Sequence, residues 1–204
     1  MPNPDAADAN RKTVQAYDVY AERYAENTRA GTTETASVSL ERFIAEVKPG
    51  GRVLEVASGP GWDADRMEAH GLSVRRTDLS EGFIAVQAKR GKSVERLDLI
   101  TDALGGPYDG LVALYVIQHI PRGIVEEVIA RMAAALARGG VLLLSFQRGE
   151  GERVEKGESG DYHIAMWSRE VMLGMLSSHG LHVIWEQADK DSEVDWISVI
   201  ARRT

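Results

Sequence analysis

The run Val53-Leu54-Glu55-Val56-Ala57-Ser58-Gly59-Pro60-Gly61 sets an acid inside an apolar, β-branched segment and puts two glycines directly behind it. A carboxylate in such a segment is costly unless something partners it. A glycine turn at a strand's end lets a ligand approach the backbone where no Cβ intrudes, and a helix starting there offers free amides. Two more acids follow. Asp78 stands 23 residues beyond Glu55, where a carboxylate can take both hydroxyls of a ribose. Asp98 comes after the next short strand-like run, where an acid can accept a bond from an adenine amino group. Taken singly, Asp78 or Asp98 reads as a solvated loop-end residue. With Glu55 and the glycine turn they read as a site for an adenosine-bearing ligand. Gly59-x-Gly61-x-x-Ala64 also fits the dinucleotide pattern, so the turn alone leaves a nicotinamide-dependent oxidoreductase open.

A second set of reactive side chains lies elsewhere. His119, in Tyr115-Val-Ile-Gln118-His119-Ile-Pro121, is a candidate general base, because an unperturbed imidazole titrates near neutral pH. The competing reading is a histidine that hydrogen-bonds a loop. Tyr17, Tyr20 and Tyr24 recur at helical spacing on one face, either as packing or as a wall toward the reacting groups. Tyr162, His163, Met166 and Trp167 form an aromatic-rich stretch suited to a flat or apolar ligand, although core packing accounts for Trp167 equally well.

Elements that would hold these residues follow from the hydrophobic rhythm. Residues 1 to about 10 read as a mobile polar tail without the apolar stretch of a secretory signal. Helices are expected over Thr13–Tyr24 and Leu40–Val47, with a loop over Asn27–Thr35 between them. Strands then alternate with helices. Strand Arg52–Ala57 precedes a helix ending near His70, strand Leu72–Thr77 precedes helix Glu81–Lys89, and strands Ser93–Leu97 and Gly110–Tyr115 precede helix Ile124–Leu136. Val141–Phe146 is a continuous apolar run, as expected of a strand buried on both faces. Such alternation means βαβ units and a parallel sheet. Beyond it, Gln147–Asp161 reads as a long exposed loop, rich in glycine and charge. Ser168–His179 reads as a helix with Ser168 as N-cap and Gly180 past its end, and His182–Glu186 and Asp195–Ala201 as two strands joined by the turn Ala188–Glu193.

Bulk properties narrow the field. The 204 residues suit one domain, with tail and lid helices over 1–48 and an α/β core over 49–204. No cysteine is present, which removes disulfides and thiolate metal sites, and no metal-binding set of acids stands out. A net charge of −7 argues against nucleic acid as the main partner, since phosphate binding needs a basic surface. No apolar run approaches a membrane span, and the cytoplasm is the expected compartment.

From Tyr17 to the closing strand pair, the chain resembles class I methyltransferases dependent on S-adenosylmethionine. The resemblance implies a three-layer Rossmann-like α/β sandwich, with a mostly parallel seven-stranded sheet, a C-terminal antiparallel hairpin and N-terminal lid helices. It implies that Tyr24, Glu55, Ala57, Gly59 and Gly61 surround the amino acid end of the cofactor. Asp78 would bind its ribose, Leu79 would pack on adenine, Asp98 and Leu99 would read adenine's edge, and Leu114 would border the methionine portion. Ala57 departs from the family, which usually has glycine there, and a slightly wider turn is the expected result. Tyr17, Tyr115, Tyr162, His163 and Trp167 would line the acceptor pocket, with His119 and Tyr20 toward the reacting atoms. The implied reaction moves a methyl group to an oxygen or nitrogen of a small molecule, such as a specialised metabolite, or of a short peptide, leaving S-adenosylhomocysteine. Against the oxidoreductase stand Glu55 within the strand and the helix-then-hairpin C-terminus. A non-catalytic binding protein of the same fold is the third reading, and the intact acids weigh against it.

Overall fold

Neighbouring strand residues divide between two hydrophobic cores, because successive side chains in a strand point to opposite faces. Leu54, Leu111, Leu142 and Leu144 belong to one core, and Val53, Val112, Val141 and Leu143 to the other. This is the arrangement of a computed structural model that describes residues 4–29, 34–190 and 194–204.

In chain order the elements are α1 (Pro4–Thr28), α2 (Glu34–Glu46), β1 (Arg52–Glu55), α3 (Trp62–Ala69), β2 (Ser73–Asp78), α4 (Glu81–Lys89), β3 (Glu95–Arg96) and β4 (Tyr108–Ala113). A turn of 3-10 helix, Ile117–His119, leads to α5 (Arg122–Ala135), β5 (Leu136–Gln147), β6 (Glu152–Gly157), β7 (Gly160–Ala165), α6 (Arg169–Ser178), β8 (Leu181–Lys190) and β9 (Asp195–Arg203). Seven strands form one sheet in the order β3-β2-β1-β4-β5-β9-β8. The first five are parallel, and β9 runs antiparallel to both β5 and β8. Helices α5 and α6 supply Val125, Ile129, Met132, Met172 and Leu176 to one core; α2 and α3 supply Leu40, Phe43 and Met67 to the other. The result is the expected three-layer Rossmann-like sandwich with its C-terminal hairpin.

Close packing explains a glycine within the sheet. A Cβ on Gly110 in β4 would stand 2.6 Å from Phe43 Cζ, so glycine lets α2 settle against the strand. Phe43 is fully buried there, and its removal costs about 3–5 kcal/mol by the usual measure for a core aromatic. Ser168 caps α6 by accepting the Val171 amide at 3.2 Å, and Gly180 follows with φ 71°, both as the sequence suggests.

Three expectations change. The polar N-terminus is helical from Pro4 onward, not a tail to residue 10. Its polar positions are used: Thr13 Oγ1 accepts the His163 amide at 2.9 Å, and Asn10 Nδ2 donates to the His119 carbonyl at 3.3 Å. Much of the expected loop over 147–161 is the β6–β7 hairpin. Every residue of β6 is exposed, so that strand has no hydrophobic alternation to reveal it, and only its pairing with β7 makes it a strand. The expected turn over 188–193 is shorter too, since β8 continues to Lys190; residues 191–193 lie outside those described, as do residues 30–33 of the expected loop over 27–35.

Candidate active site

The C-terminal ends of β1 to β4 open onto one cleft, closed on another side by α1. β1 lies between β2 and β4, so the strand order reverses there, which is where open α/β sheets bind ligands. Directly after β1, Ala57, Gly59 and Gly61 take φ values of 51°, 54° and 81°. The left-handed region is unfavourable for any residue with a Cβ. Ala57 nevertheless adopts it, so alanine keeps the sharp turn expected of glycine and does not relax it. A Cβ on Gly59 would meet nothing within 4 Å, whereas one on Gly61 would run into the side chains of Gln87 and Arg76. Gly59 therefore borders the cleft, and Gly61 faces the packing behind the turn.

Side chains from other elements hold this turn. Asp78 Oδ2 accepts the Gly59 amide at 2.7 Å, while its Oδ1 accepts the Ser80 amide at 2.8 Å. Gln87 Nε2 donates to the Gly59 carbonyl at 2.8 Å and to Ser58 Oγ at 3.1 Å. Glu55 is 3% exposed and accepts the Ser58 hydroxyl. Burial pushes Glu55 up to about 8, with Asp63 adding repulsion. Burial likewise pushes Asp63 up to about 6, and Asp78 up to about 6 against the pull of its amide partners. Three carboxyls thus share a cleft that holds them partly protonated at neutral pH and rewards a cationic or hydroxyl-bearing ligand.

Helix α1 is fastened over this site. Asp18 Oδ1 accepts the Ser80 hydroxyl at 2.7 Å and the Gly82 amide at 3.1 Å. A Cβ on Gly82 would lie 2.6 Å from the Asp18 carbonyl oxygen, so glycine permits the helix to come this close. Tyr17 and Tyr24 pack on Phe83 of α4, with ring centroids 5.7 and 5.5 Å away. Further along the cleft, the Tyr17 hydroxyl lies 3.0 Å from His119 Nε2. His119 Nδ1 lies 2.8 Å from the His163 carbonyl oxygen, which can only accept, so Nδ1 carries the proton and Nε2 the lone pair. Burial pushes His119 down to about 4, which keeps the imidazole neutral at physiological pH.

The sequence matches the family described as a methyltransferase domain over residues 24–189, a span containing all four strand ends. The chain belongs to that methyltransferase family. Its fold is that of class I methyltransferases. The Burkholderia thailandensis 1,6-didemethyltoxoflavin-N1-methyltransferase, crystallised with 1,6-didemethyltoxoflavin and S-adenosylhomocysteine, is similar at a TM-score of 0.70 and 15% identity, over 100% of this chain and 92% of that one. Magnesium protoporphyrin IX methyltransferase from Synechocystis PCC 6803, with bound S-adenosylmethionine, is similar at a TM-score of 0.74 and 17% identity, over 96% and 97% of the two chains. The cyclase SpnF is similar at a TM-score of 0.72 and 13% identity, over 95% and 96%. One fold thus serves several chemistries. No curated protein matches the sequence.

The methyltransferase brings most of the expected residues together. Tyr17, Tyr24, Glu55, Ala57, Gly59, Asp78, Leu79, Asp98, Leu99, Leu114, Tyr115 and His119 all line the cleft. Asp98 accepts the Ile100 amide at 2.8 Å, which fixes its carboxylate at the mouth. Tyr20 and Tyr162 instead line a second cavity, between α1 and the β6–β7 hairpin. His163 contributes its carbonyl to His119, and its ring faces Glu152 at 3.4 Å. Trp167 is 3% exposed in the core under the Arg122 guanidinium and lines neither of these two cavities. Tyr115 has φ 55°, a strained conformation at the edge of the cleft.

Sequence reasoning missed Asp63, Phe83, Asn10 and Thr13, which also line the cleft. Asp63 sits in the first turn of α3, where an acid is expected for the helix dipole and so drew no notice. Asn10 and Thr13 belong to the segment taken for a tail or the margin of a helix.

Proposed function

We propose that this methyltransferase binds S-adenosylmethionine in the cleft and methylates an oxygen or nitrogen of a small molecule, with the cytoplasm as its place of action. The observation that carries the reading is the placement of Glu55, Asp78 and Asp98 at or just past the ends of β1, β2 and β3, around one cleft. The residues suit that cofactor. Glu55 and Asp63 offer carboxyls to an ammonium group, Asp78 offers one to ribose hydroxyls, and Leu79, Leu99 and Ile100 offer apolar surface to a base. Open space at Gly59 leaves the turn free for close approach.

When bound, S-adenosylmethionine supplies an electrophilic methyl group on a sulfonium. The chain's own part is to align an acceptor with that methyl and to exclude water. Helix α1, tied down through Asp18, performs the exclusion. The aromatic walls of the second cavity support a small molecule as acceptor, and the net charge of −7 weighs against nucleic acid. No helix among the described residues is long and apolar enough to cross a membrane.

Thermal shift with S-adenosylmethionine, S-adenosylhomocysteine and NADH tests the cofactor assignment. A ligand at about a hundred times its Kd stabilises the fold by about 2.7 kcal/mol. Stabilisation by the first two and not by NADH is expected; the reverse pattern overturns the reading.

A further inference from the structure

Two cavities adjoin at Tyr17, Tyr24 and His119, which border both. One is the cofactor cleft. The other lies under the β6–β7 hairpin and is walled by Tyr20, Tyr162 and Ile164. The Tyr17 and Tyr162 rings meet edge to face with centroids 5.1 Å apart, and Tyr20 and Tyr24 do the same at 6.0 Å. Both carboxylates at this cavity are already engaged: Glu158 by Arg23 at 2.8 Å, and Glu155 by Arg153. Flat aromatic walls without an uncompensated charge suit a flat, uncharged ring.

The shared boundary also has a proton path. With Nδ1 of His119 donating to the His163 carbonyl, Nε2 must accept, and the Tyr17 hydroxyl at 3.0 Å donates to it. Gln118 Nε2 lies 3.2 Å from the same nitrogen but also donates to the Tyr115 carbonyl. The Tyr17 oxygen, with its hydrogen directed at His119, is left as an acceptor toward the cavity. A phenolic or enolic oxygen is a poor nucleophile until its proton leaves, whereas a neutral amine can attack first and lose its proton later. A path built to remove a proton therefore points to oxygen.

We propose that the second cavity holds a flat, uncharged ring bearing an acidic hydroxyl, and that Tyr17 takes the hydroxyl proton as its own proton passes to His119. This rests on the reading of the cleft as the S-adenosylmethionine site. The acceptor's O–H bond breaks with its electron pair left on oxygen, and that pair forms the O–CH₃ bond as the methyl–sulfur bond breaks. The sulfur leaves as a neutral thioether, and the positive charge ends on the His119 imidazolium. The proton returns through Tyr17 to water after the product departs. Tyr17 is the catalytic residue and His119 the positioning residue behind it. The groups facing His119 are Tyr17 from α1, Glu155 from β6, and Tyr162 and His163 from β7. Burial pushes His119 down and the Tyr17 hydroxyl up, so the relayed proton moves in concert with methyl transfer and no free tyrosinate forms.

Umbelliferone, a flat ring with an acidic hydroxyl, and coumarin, the same ring without it, are the probes. Fluorescence titration into the protein saturated with S-adenosylhomocysteine should show umbelliferone binding at least about tenfold tighter than coumarin, within the reach of a good hydrogen bond. Tyr17→Phe should erase that preference, and Tyr162→Ala should weaken both probes alike. Methyl ether formation is then followed against pH. The wild-type rate should hold level as pH falls below umbelliferone's own ionisation, whereas the His119→Asn rate should fall about tenfold per pH unit there, tracking the pre-ionised probe. Equal binding of the two probes, no methyl ether from the wild type, or the same pH slope in both proteins overturns the proposal. S-adenosylhomocysteine affinity is measured for each protein first, so failure of the cofactor reading shows itself separately.

Discussion

Asp78 Oδ2 accepts the backbone amide of Gly59 at 2.7 Å, so the acid at the end of β2 also shapes the glycine turn at the end of β1. Its other oxygen is bonded to the Ser80 amide, and each oxygen keeps acceptor capacity toward the cleft. Asp78→Ala should therefore act twice. Calorimetry should show S-adenosylmethionine affinity reduced by about 2–3 kcal/mol, the scale of a lost charge-assisted hydrogen bond, and urea unfolding should show a separate loss of stability. Unchanged affinity would remove Asp78 from the site.

The buried acids give the protein a definite pH dependence. Glu55 is raised from 4.5 to about 8, and Asp63 and Asp78 from 3.8 to about 6. Between those limits the folded chain binds more protons than the unfolded one. The stability they contribute is thus full below about pH 4 and lost as pH rises through 6 toward 8. His119, held down to about 4, opposes this trend below its ordinary value of 6.5, so the Tm of the ligand-free protein should fall clearly from about pH 6.5 to 8, and Glu55→Gln should flatten that fall. A cationic ligand favours the ionised acids, so S-adenosylmethionine should bind more tightly as pH rises, with protons released. Calorimetry in two buffers of different ionisation enthalpy reads that release directly; an affinity flat with pH would contradict it.

Ala57 holds φ 51° with a Cβ attached. Ala57→Gly should relieve that strain and raise stability by about 0.5–1 kcal/mol, after allowing for the greater freedom of glycine in the unfolded chain. Urea denaturation measures it, and destabilisation would show that the alanine methyl is packed to advantage.

One attachment of the lid rests on a single atom. Asp18 Oδ1 accepts from both Ser80 and Gly82, so Asp18→Ala should loosen α1 by about 1–2 kcal/mol. Hydrogen exchange along α1 should quicken relative to β4 and β5, and S-adenosylmethionine should leave faster. Gly82→Ala should produce the same pattern by steric means, since its Cβ meets the Asp18 carbonyl.

The sheet and its ligand edge are legible in the residues alone. Runs such as Val141–Phe146, and glycine turns after β1, are local signals: strand period, apolar content and turn chemistry are written in adjacent residues. Glu55, Asp78 and Asp98 could be found because each sits at or near the end of its own strand, and parallel strands with short connections bring those ends to one edge. The N-terminal extension of α1 and the β6–β7 hairpin gave no such signal. Their polar residues are held in part by distant partners, as when Thr13 accepts the His163 amide across the fold.

Tertiary structure alone decided how the turn is held and which groups meet across the cleft. Asp78 bonds an amide 19 positions earlier, and Tyr17 meets a histidine 102 positions later. The tautomer of His119 is set by a carbonyl 44 residues away, on β7, just past the segment expected as a loop. A residue's type shows which proton it can give or take. Which partner takes it depends on distances of about 3 Å, and only the packing of α1, the His119 turn and β7 against one another supplies those.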